Sequence, residues 1–321
     1  MVWIVCVWHL QGYISAVHLE GSYLARLITG ICLASFFFFS GFLLAPKFDD
    51  GDRLSQTKTF FKSRLLRILP LFTLACLSFP NFNFSFGDRI LNIIGLSAFV
   101  SNHQMPTIWF VSMLCFFYFL LPIFAKRKFF IQIIILLFII IIISLFDIYK
   151  VLESEGGVDK RIYIYLPCFV FGSILCSKGT IAWWHYAIAG TLLVGLAYIK
   201  QKYCLNSVFS ILVTIVLDLS GVLLVYASGK LVERIIESRV YFIKGIGFLS
   251  YVSFCAYLFH RHIFTFFELC YLPQSVYLRV LFLYCICVPL VLVASFIIQK
   301  GYDIIVKKLI LSPENKAKGN I

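Results

Sequence analysis

Charge is what this sequence has least of. Aspartate and glutamate together number 15 in 321 residues, and charged residues of both signs make up 13%, against roughly 25% in an ordinary soluble domain. So few charges cannot clothe a water-facing surface of this size, which excludes a soluble domain over most of the chain. Paired-cysteine spacing is missing as well. The 11 cysteines (6, 32, 76, 115, 168, 176, 204, 255, 270, 285 and 287) form no CxxC pair and no Cys/His metal spacing. They read as small core residues, and no metal site is expected. The marks of a cleavable leader are lacking too: no basic flank opens the first apolar run and no small-residue cleavage site precedes Glu20, so that run is expected to be a true span. No internal repeat is visible, which weighs against an inverted-repeat transporter.

What the chain has in excess is apolar length. Hydrophobic residues make up 61% of it, in runs that recur from end to end, each long enough to cross a bilayer at roughly 17–25 residues. Hydropathy places spans near 1–17, 24–45, 64–80, 107–125, 129–149, 161–177, 180–199, 206–229, 246–268 and 276–299. The expected fold class is all-α, a polytopic membrane helix bundle of about ten transmembrane helices. One transmembrane domain is expected over 1–310, followed by a polar cytoplasmic tail over 311–321. The Phe-rich and Ile-rich stretches FFFF (36–39) and IIILLFIIIIIS (133–144) are low in complexity and suited to lipid contact.

The net charge of +13 would suit nucleic acid if it were gathered in one domain. Instead the basic residues fall in short loops, so membrane lipids are expected as partners and nucleic acid is not. Lys47, Arg53, Lys58, Lys62, Arg64 and Arg67, then Lys126, Arg127, Lys128 and Lys178, then Lys230, Arg234, Arg239 and Lys244, and a last group from Lys300 to Lys318 all follow alternate spans. The positive-inside bias puts these loops and both termini in the cytoplasm, with the loops at 81–106 and 150–160 outside.

Ionisable groups inside spans are costly and mark function by default. His9 sits in the first run, VWIVCVWHL, with Cys6, Gly12 and Tyr13 on its helical face, a surface suited to the protein interior. A neutral histidine bonded to a neighbouring helix is the alternative. A second feature follows the span ending Ser40-Gly41-Phe42: Arg64 and Arg67, three apart, share one helix face and can grip two phosphates, with Lys62 nearby. Ordinary positive-inside anchoring explains such a cluster equally. In the third, LSYVSFCAYLFHRHIF, Ser250, Ser253, Tyr257 and His260 make a polar stripe beside Arg261; an interfacial Arg-His cluster is the alternative. Asp218, deep in its span, is a further possible partner for a histidine or Arg261, or a helix-packing hydrogen bond. Trp109 and Tyr118 read as interfacial or packing aromatics.

In order along the chain, VCVWHL, FFFFSGFLL, FFKSRLLRILPLF, WFVSMLCFFYFLLP and SYVSFCAYLFHRHIF resemble the acyltransferase-3 family of integral-membrane O-acyltransferases. The resemblance implies an enzyme that moves an acyl group, commonly acetyl, from acyl-CoA to hydroxyls of cell-surface sugars, with no permanently bound cofactor. It implies acetyl-CoA as donor and a sugar or glycan, possibly lipid-linked, as acceptor. It assigns the essential histidine to His9 and the cytoplasmic Arg-x-x-Arg to Arg64 and Arg67. We group Lys62 and Ser40 with those arginines at the donor, and Tyr257, His260, Arg261 and Trp109 at the acceptor. Three departures stand out: no arginine precedes His9, from which a start further upstream is expected; the fourth motif has no glutamate; and no proline follows the last histidine.

On this reading His9 is a general base at ~12 Å from the first residue, where a donor entering from the cytoplasm meets an acceptor from outside, in a bacterial inner (plasma) membrane. The rivals are a secondary carrier or lipid-linked sugar exporter that uses buried His, Asp and Arg as a proton relay, and a receptor-like or structural membrane subunit.

Overall fold

A computed structural model of the chain describes residues 9, 23–48, 51–79, 84–99, 104–153, 157–178, 181–203, 207–236 and 240–310. Every regular element among them is helical: α1 (Tyr23–Leu44), α2 (Arg53–Leu77), α3 (Phe86–Ile93), α4 (Trp109–Phe124), α5 (Phe129–Leu152), α6 (Arg161–Lys178), α7 (Trp183–Lys202), α8 (Ser207–Ile236) and α9 (Val240–Cys270), then α10 (Val276–Phe282), which runs through a π-helical turn (Leu283–Cys287) into α11 (Val288–Ile310). The all-α expectation holds. The tail at 311–321 lies outside the described residues, as does the expected first span apart from His9.

The expected number of spans, about ten by hydropathy, is corrected. Among the described residues four helices are long and apolar enough to cross a membrane: Tyr23–Lys47, Phe129–Leu152, Ser207–Ile235 and Val276–Val306. The physical reasons lie in length and charge. The apolar parts of α4 and α6, Trp109–Phe124 and Arg161–Cys176, are each ~24 Å long at 1.5 Å per residue, short of a hydrocarbon core of ~30 Å. α2 opens on Arg53, Lys58, Lys62, Arg64 and Arg67, and α9 carries Lys244, His260, Arg261, His262 and Glu268. α7 begins on Trp183, Trp184, His185 and Tyr186 and ends on lysines. The protein is an integral membrane protein with several long apolar helices.

The helices form two compact units. One comprises 20–62 and 81–238; the other comprises 2–19, 63–80 and 239–321. In the first, α1 packs along α6, and α8 packs against α1, α6 and α7. The closest approach is built on glycine. A Cβ on Gly41 would lie 2.0 Å from the carbonyl oxygen of Phe169, and one on Gly172 would lie 2.0 Å from that of Phe38. Only hydrogen fits at either position, so the two backbones touch, as small residues permit in lipid where packing drives helix association. Phe37, buried at this crossing, stacks on Tyr165 and leans on Phe110 and Phe117.

Arg53 organises one end of this unit. Its guanidinium donates to the carbonyl oxygens of Pro122 (3.0 and 2.6 Å) and Ala125 (2.6 Å), satisfying the acceptors that the end of α4 leaves open. At the other end, Ser85 and Asp88 form a capping box that starts α3. Lys150, buried at the end of α5, donates to the carbonyl oxygen of Phe99 at 2.9 Å.

The second unit packs α9 on α11 around Ala256, Phe264, Leu283, Cys287 and Val291. The π turn puts both Leu283 and Cys287 into that core. A chain of hydrogen bonds holds the same two helices further along: the Tyr251 hydroxyl donates to Asp303 Oδ2 (2.6 Å), Gln299 Nε2 to Asp303 Oδ1 (3.0 Å) and the Cys255 thiol to Gln299 Oε1 (3.2 Å).

Candidate active site

The polar stripe of α9 divides where the helix enters the core. Its first half is spent locally, since the Ser253 hydroxyl donates to the carbonyl oxygen of Ser250 at 2.7 Å and Ser250 is exposed. Tyr257 and His260 are buried, the histidine completely. His260 Nδ1 lies 2.8 Å from the carbonyl oxygen of Tyr257 and 3.1 Å from that of Ala256. Carbonyls only accept, so these contacts place the ring proton on Nδ1 and leave Nε2 of the neutral ring as a lone pair. That Nε2 is buried and has no hydrogen-bond partner among the described residues. The Phe264 ring lies edge-on at 5.7 Å.

His9, half-buried, stacks on His260 with ring centroids 5.4 Å apart and planes 23° from parallel. Arg261 Nη2 lies 3.5 Å from His9 Nδ1, the outer limit of a hydrogen bond. A guanidinium can only donate, so the contact presents His9 Nδ1 as an acceptor. Two imidazoles and a guanidinium thus meet inside one unit, a grouping that suits proton transfer and the binding of developing negative charge.

Of the remaining expected donor and acceptor residues, Arg64 and Arg67 lie one turn apart on α2, Arg64 half-buried and Arg67 exposed, in the same unit as His9. Tyr257 has its ring 6.0 Å from that of His260. Ser40, Lys62 and Trp109 belong to the other unit. Ser40 is half-buried beside Gly41, and Lys62 is exposed. Trp109 is a stacking platform: the guanidinium of Arg161 lies 3.6 Å from its ring centroid and Tyr165 stacks at 6.2 Å. Arg161 is itself held by Asp159 at 2.7 Å and donates to Gln104 Oε1. Asp218 also belongs to this unit, not to the one that holds the histidine pair.

Three features escaped the sequence reading. His262 Nε2 lies 3.1 Å from Ser78 Oγ, whose own proton goes to the carbonyl oxygen of Leu74 at 2.7 Å. The imidazole therefore donates, and it ties α9 to the end of the helix that carries Arg64 and Arg67. The available signal was its position two residues after His260, which points it to another side of the helix. Arg161 opens its helix, where a charge reads as an anchor, and the Gln299–Asp303 pair, four apart on α11, carries no motif that sets it apart in the sequence.

No curated protein and no solved structure matches the chain. A family model described as an acyltransferase domain, that of acyltransferase-3, matches residues 1–300. With nearly the whole length matched, the chain belongs to the acyltransferase-3 family of integral-membrane acyltransferases.

Proposed function

We propose that this chain transfers an acetyl group from acetyl-CoA to a hydroxyl of a cell-surface polysaccharide or its lipid-linked precursor, in a bacterial inner membrane with both termini in the cytoplasm. The observation that carries the reading is the cluster of His9, His260 and Arg261. In the reaction, the acceptor oxygen attacks the thioester carbonyl carbon and the new C–O bond forms as the C–S bond breaks. His9 takes the hydroxyl proton as general base, an effect worth ~10²–10⁴ in rate, and returns it to the departing thiolate, so the products are the O-acetyl ester and free CoA thiol. Arg64 and Arg67 hold the CoA phosphates from the cytoplasmic side, while Arg261 and Tyr257 meet the acceptor. Ser40 and Lys62 at the donor, and Trp109 at the acceptor, are assigned from their places in the quoted motifs alone.

One contact favours a second assignment within the same reaction. His9 Nδ1 faces Arg261, whereas His260 has its proton tied to backbone carbonyls and a buried, unpartnered Nε2. In that version His260 Nε2 takes the proton and His9 stacks against it.

The test is purified full-length protein in nanodiscs, given acetyl-CoA with and without surface glycan from the source cells. Thiol release that depends on the glycan, with matching acetyl ester on the product, is the expected result. Substrate movement across proteoliposomes with no acyl donor, and no thiol release, would replace this function with that of a carrier.

A further inference from the structure

A cavity of about 340 Å³ lies within the first unit, lined by Tyr23, Arg26, Gly30, Lys200, Thr214 and Asp218 together with two leucines. It is far larger than the ~30 Å³ share of one water and falls toward the lower end of the roughly 300–1,000 Å³ of small-molecule sites. Its chemistry is ordered by depth. Tyr23 and Arg26 stand in the first turn of α1 and Lys200 in the last turn of α7, so they mark one end of the three helices. Asp218 stands three turns into α8, against Gly30, where an added Cβ would lie 3.2 Å from Asp218 Oδ1. The cationic groups are therefore near the helix ends and the carboxylate deeper along the helices.

Two buried polar atoms face this space without a hydrogen-bond partner among the described residues: Asp218 Oδ2, on a residue only 2% exposed, and the Tyr23 hydroxyl. A carboxyl group three turns inside a long apolar helix costs free energy unless something donates to it. Lys200 does not fill that role in the structure: its ammonium group donates to Thr214 Oγ1, one turn before Asp218, that hydroxyl in turn donates to the carbonyl oxygen of Ser210 at 2.6 Å, and Asp218 Oδ2 is left without a donor among the described residues. The arrangement asks for a ligand with hydroxyl donors at its inner end. Arg26 and Lys200 give the outer part of the lining two cationic side chains, which suits a ligand with an anionic group at its outer end.

We propose that this cavity is a binding site for a small anionic polyol, a ligand of monosaccharide size with hydroxyl groups donating to Asp218 and one carboxylate or phosphate group beside Lys200 and Arg26. An acidic sugar unit of a glycan and the glycerophosphate headgroup of a lipid share this chemistry. The site does not depend on the transfer reaction, and its test reads binding alone, so either can fail without the other.

The experiment is calorimetric titration of the full chain in phosphatidylcholine nanodiscs with D-glucuronate, sn-glycerol 3-phosphate, D-glucose, glycine and inorganic phosphate. Glucuronate and glycerol phosphate are expected to bind at least tenfold more tightly than glucose, which lacks the charge, phosphate, which lacks the hydroxyl arm, and glycine, which lacks the hydroxyl arm and brings an ammonium group close to Lys200 and Arg26. Asp218→Asn and Lys200→Gln should each weaken glucuronate binding tenfold or more while leaving CoA binding unchanged. Because Lys200 lies at a helix end, its variant keeps the test alive if Asp218→Asn fails to fold. Repeating the titration in phosphatidylglycerol nanodiscs identifies the source: lost glucuronate binding assigns the site to a lipid headgroup, and retained binding to a sugar, the ligand class standing in both cases. Glucose or glycine binding as tightly as glucuronate, or both variants binding as the parent does, would overturn the proposal.

Discussion

At the scale of single residues, the two histidines separate by what each nitrogen touches. If His9 is the base, His9→Gln keeps a polar side chain but no proton acceptor, and transfer should fall by ~10²–10⁴ with CoA binding retained, while His260→Gln should cost much less. If the unpartnered Nε2 of His260 is the acceptor, the ranking reverses. Initial rates of thiol release for both variants, checked against CoA titration, decide between them; near-parental rates in both would remove imidazole from the mechanism. A separate expectation concerns the donor. Hydrogen bonds to charged groups contribute ~1.5–3 kcal/mol each, so Arg64→Ala combined with Arg67→Ala should weaken CoA binding at least tenfold and flatten its salt dependence. Parental affinity in the folded double variant would sink the phosphate role. Both histidines and both arginines stood out in the sequence because ionisable groups are rare there. The meeting of His9 with His260 and Arg261 did not, since His9 and Arg261 are 252 positions apart and no local pattern encodes that distance.

At the scale of helices, the element type was legible in the sequence and the membrane crossings much less so. Apolar runs marked nearly every helix, because burial and lipid contact demand the same residues. They overcounted spans, because an average over an apolar run absorbs the basic residues that open α2 and the three consecutive ionisable residues inside α9, and does not show that the apolar parts of α4 and α6 stop short of a full crossing. The glycine contacts were hidden too: Gly41 and Gly172 look no different in the sequence from Gly190 and Gly195, yet only the first pair sits against a backbone carbonyl. That contrast predicts opposite signs. Gly41→Ala and Gly172→Ala force α1 and α6 apart and should destabilise the protein by at least ~1–3 kcal/mol, as overpacking does. Gly195→Ala, exposed on α7 with nothing within 4 Å of an added Cβ, should be neutral or stabilising by up to ~1 kcal/mol through helix propensity. Thermal unfolding of the purified variants reads both, and equal effects at 172 and 195 would mean that the close crossing is not what holds these helices.

At the scale of the molecule, sidedness can be argued within the first unit from contacts as well as from charge. Arg53 donates to the carbonyl oxygens of Pro122 and Ala125, which fixes the basic segment after α1 beside the basic turn Lys126–Lys128 before α5. α5 has 24 residues, ~36 Å at 1.5 Å per residue, enough to cross a hydrocarbon core of ~30 Å. At its far end Lys150 bonds to Phe99 and the backbone N–H of Asp159 donates to Ala98, which holds the segment after α3 there. The Lys126–Lys128 turn and the 84–99 segment therefore lie at opposite ends of a membrane-length helix, and the positive-inside bias predicts that the basic end faces the cytoplasm. A cysteine at Phe86, which is exposed, should react with an impermeant thiol reagent in intact cells, and one at Lys128 should react only after the membrane is opened. The exposed native Cys270 and Cys285 are first changed to serine so that the label reports the introduced site. Labelling at 128 but not 86 would invert the orientation and move the acceptor to the cytoplasmic side; labelling at both in intact cells would mean that α5 does not span the bilayer, and the assignment of donor and acceptor to opposite faces would fall with it.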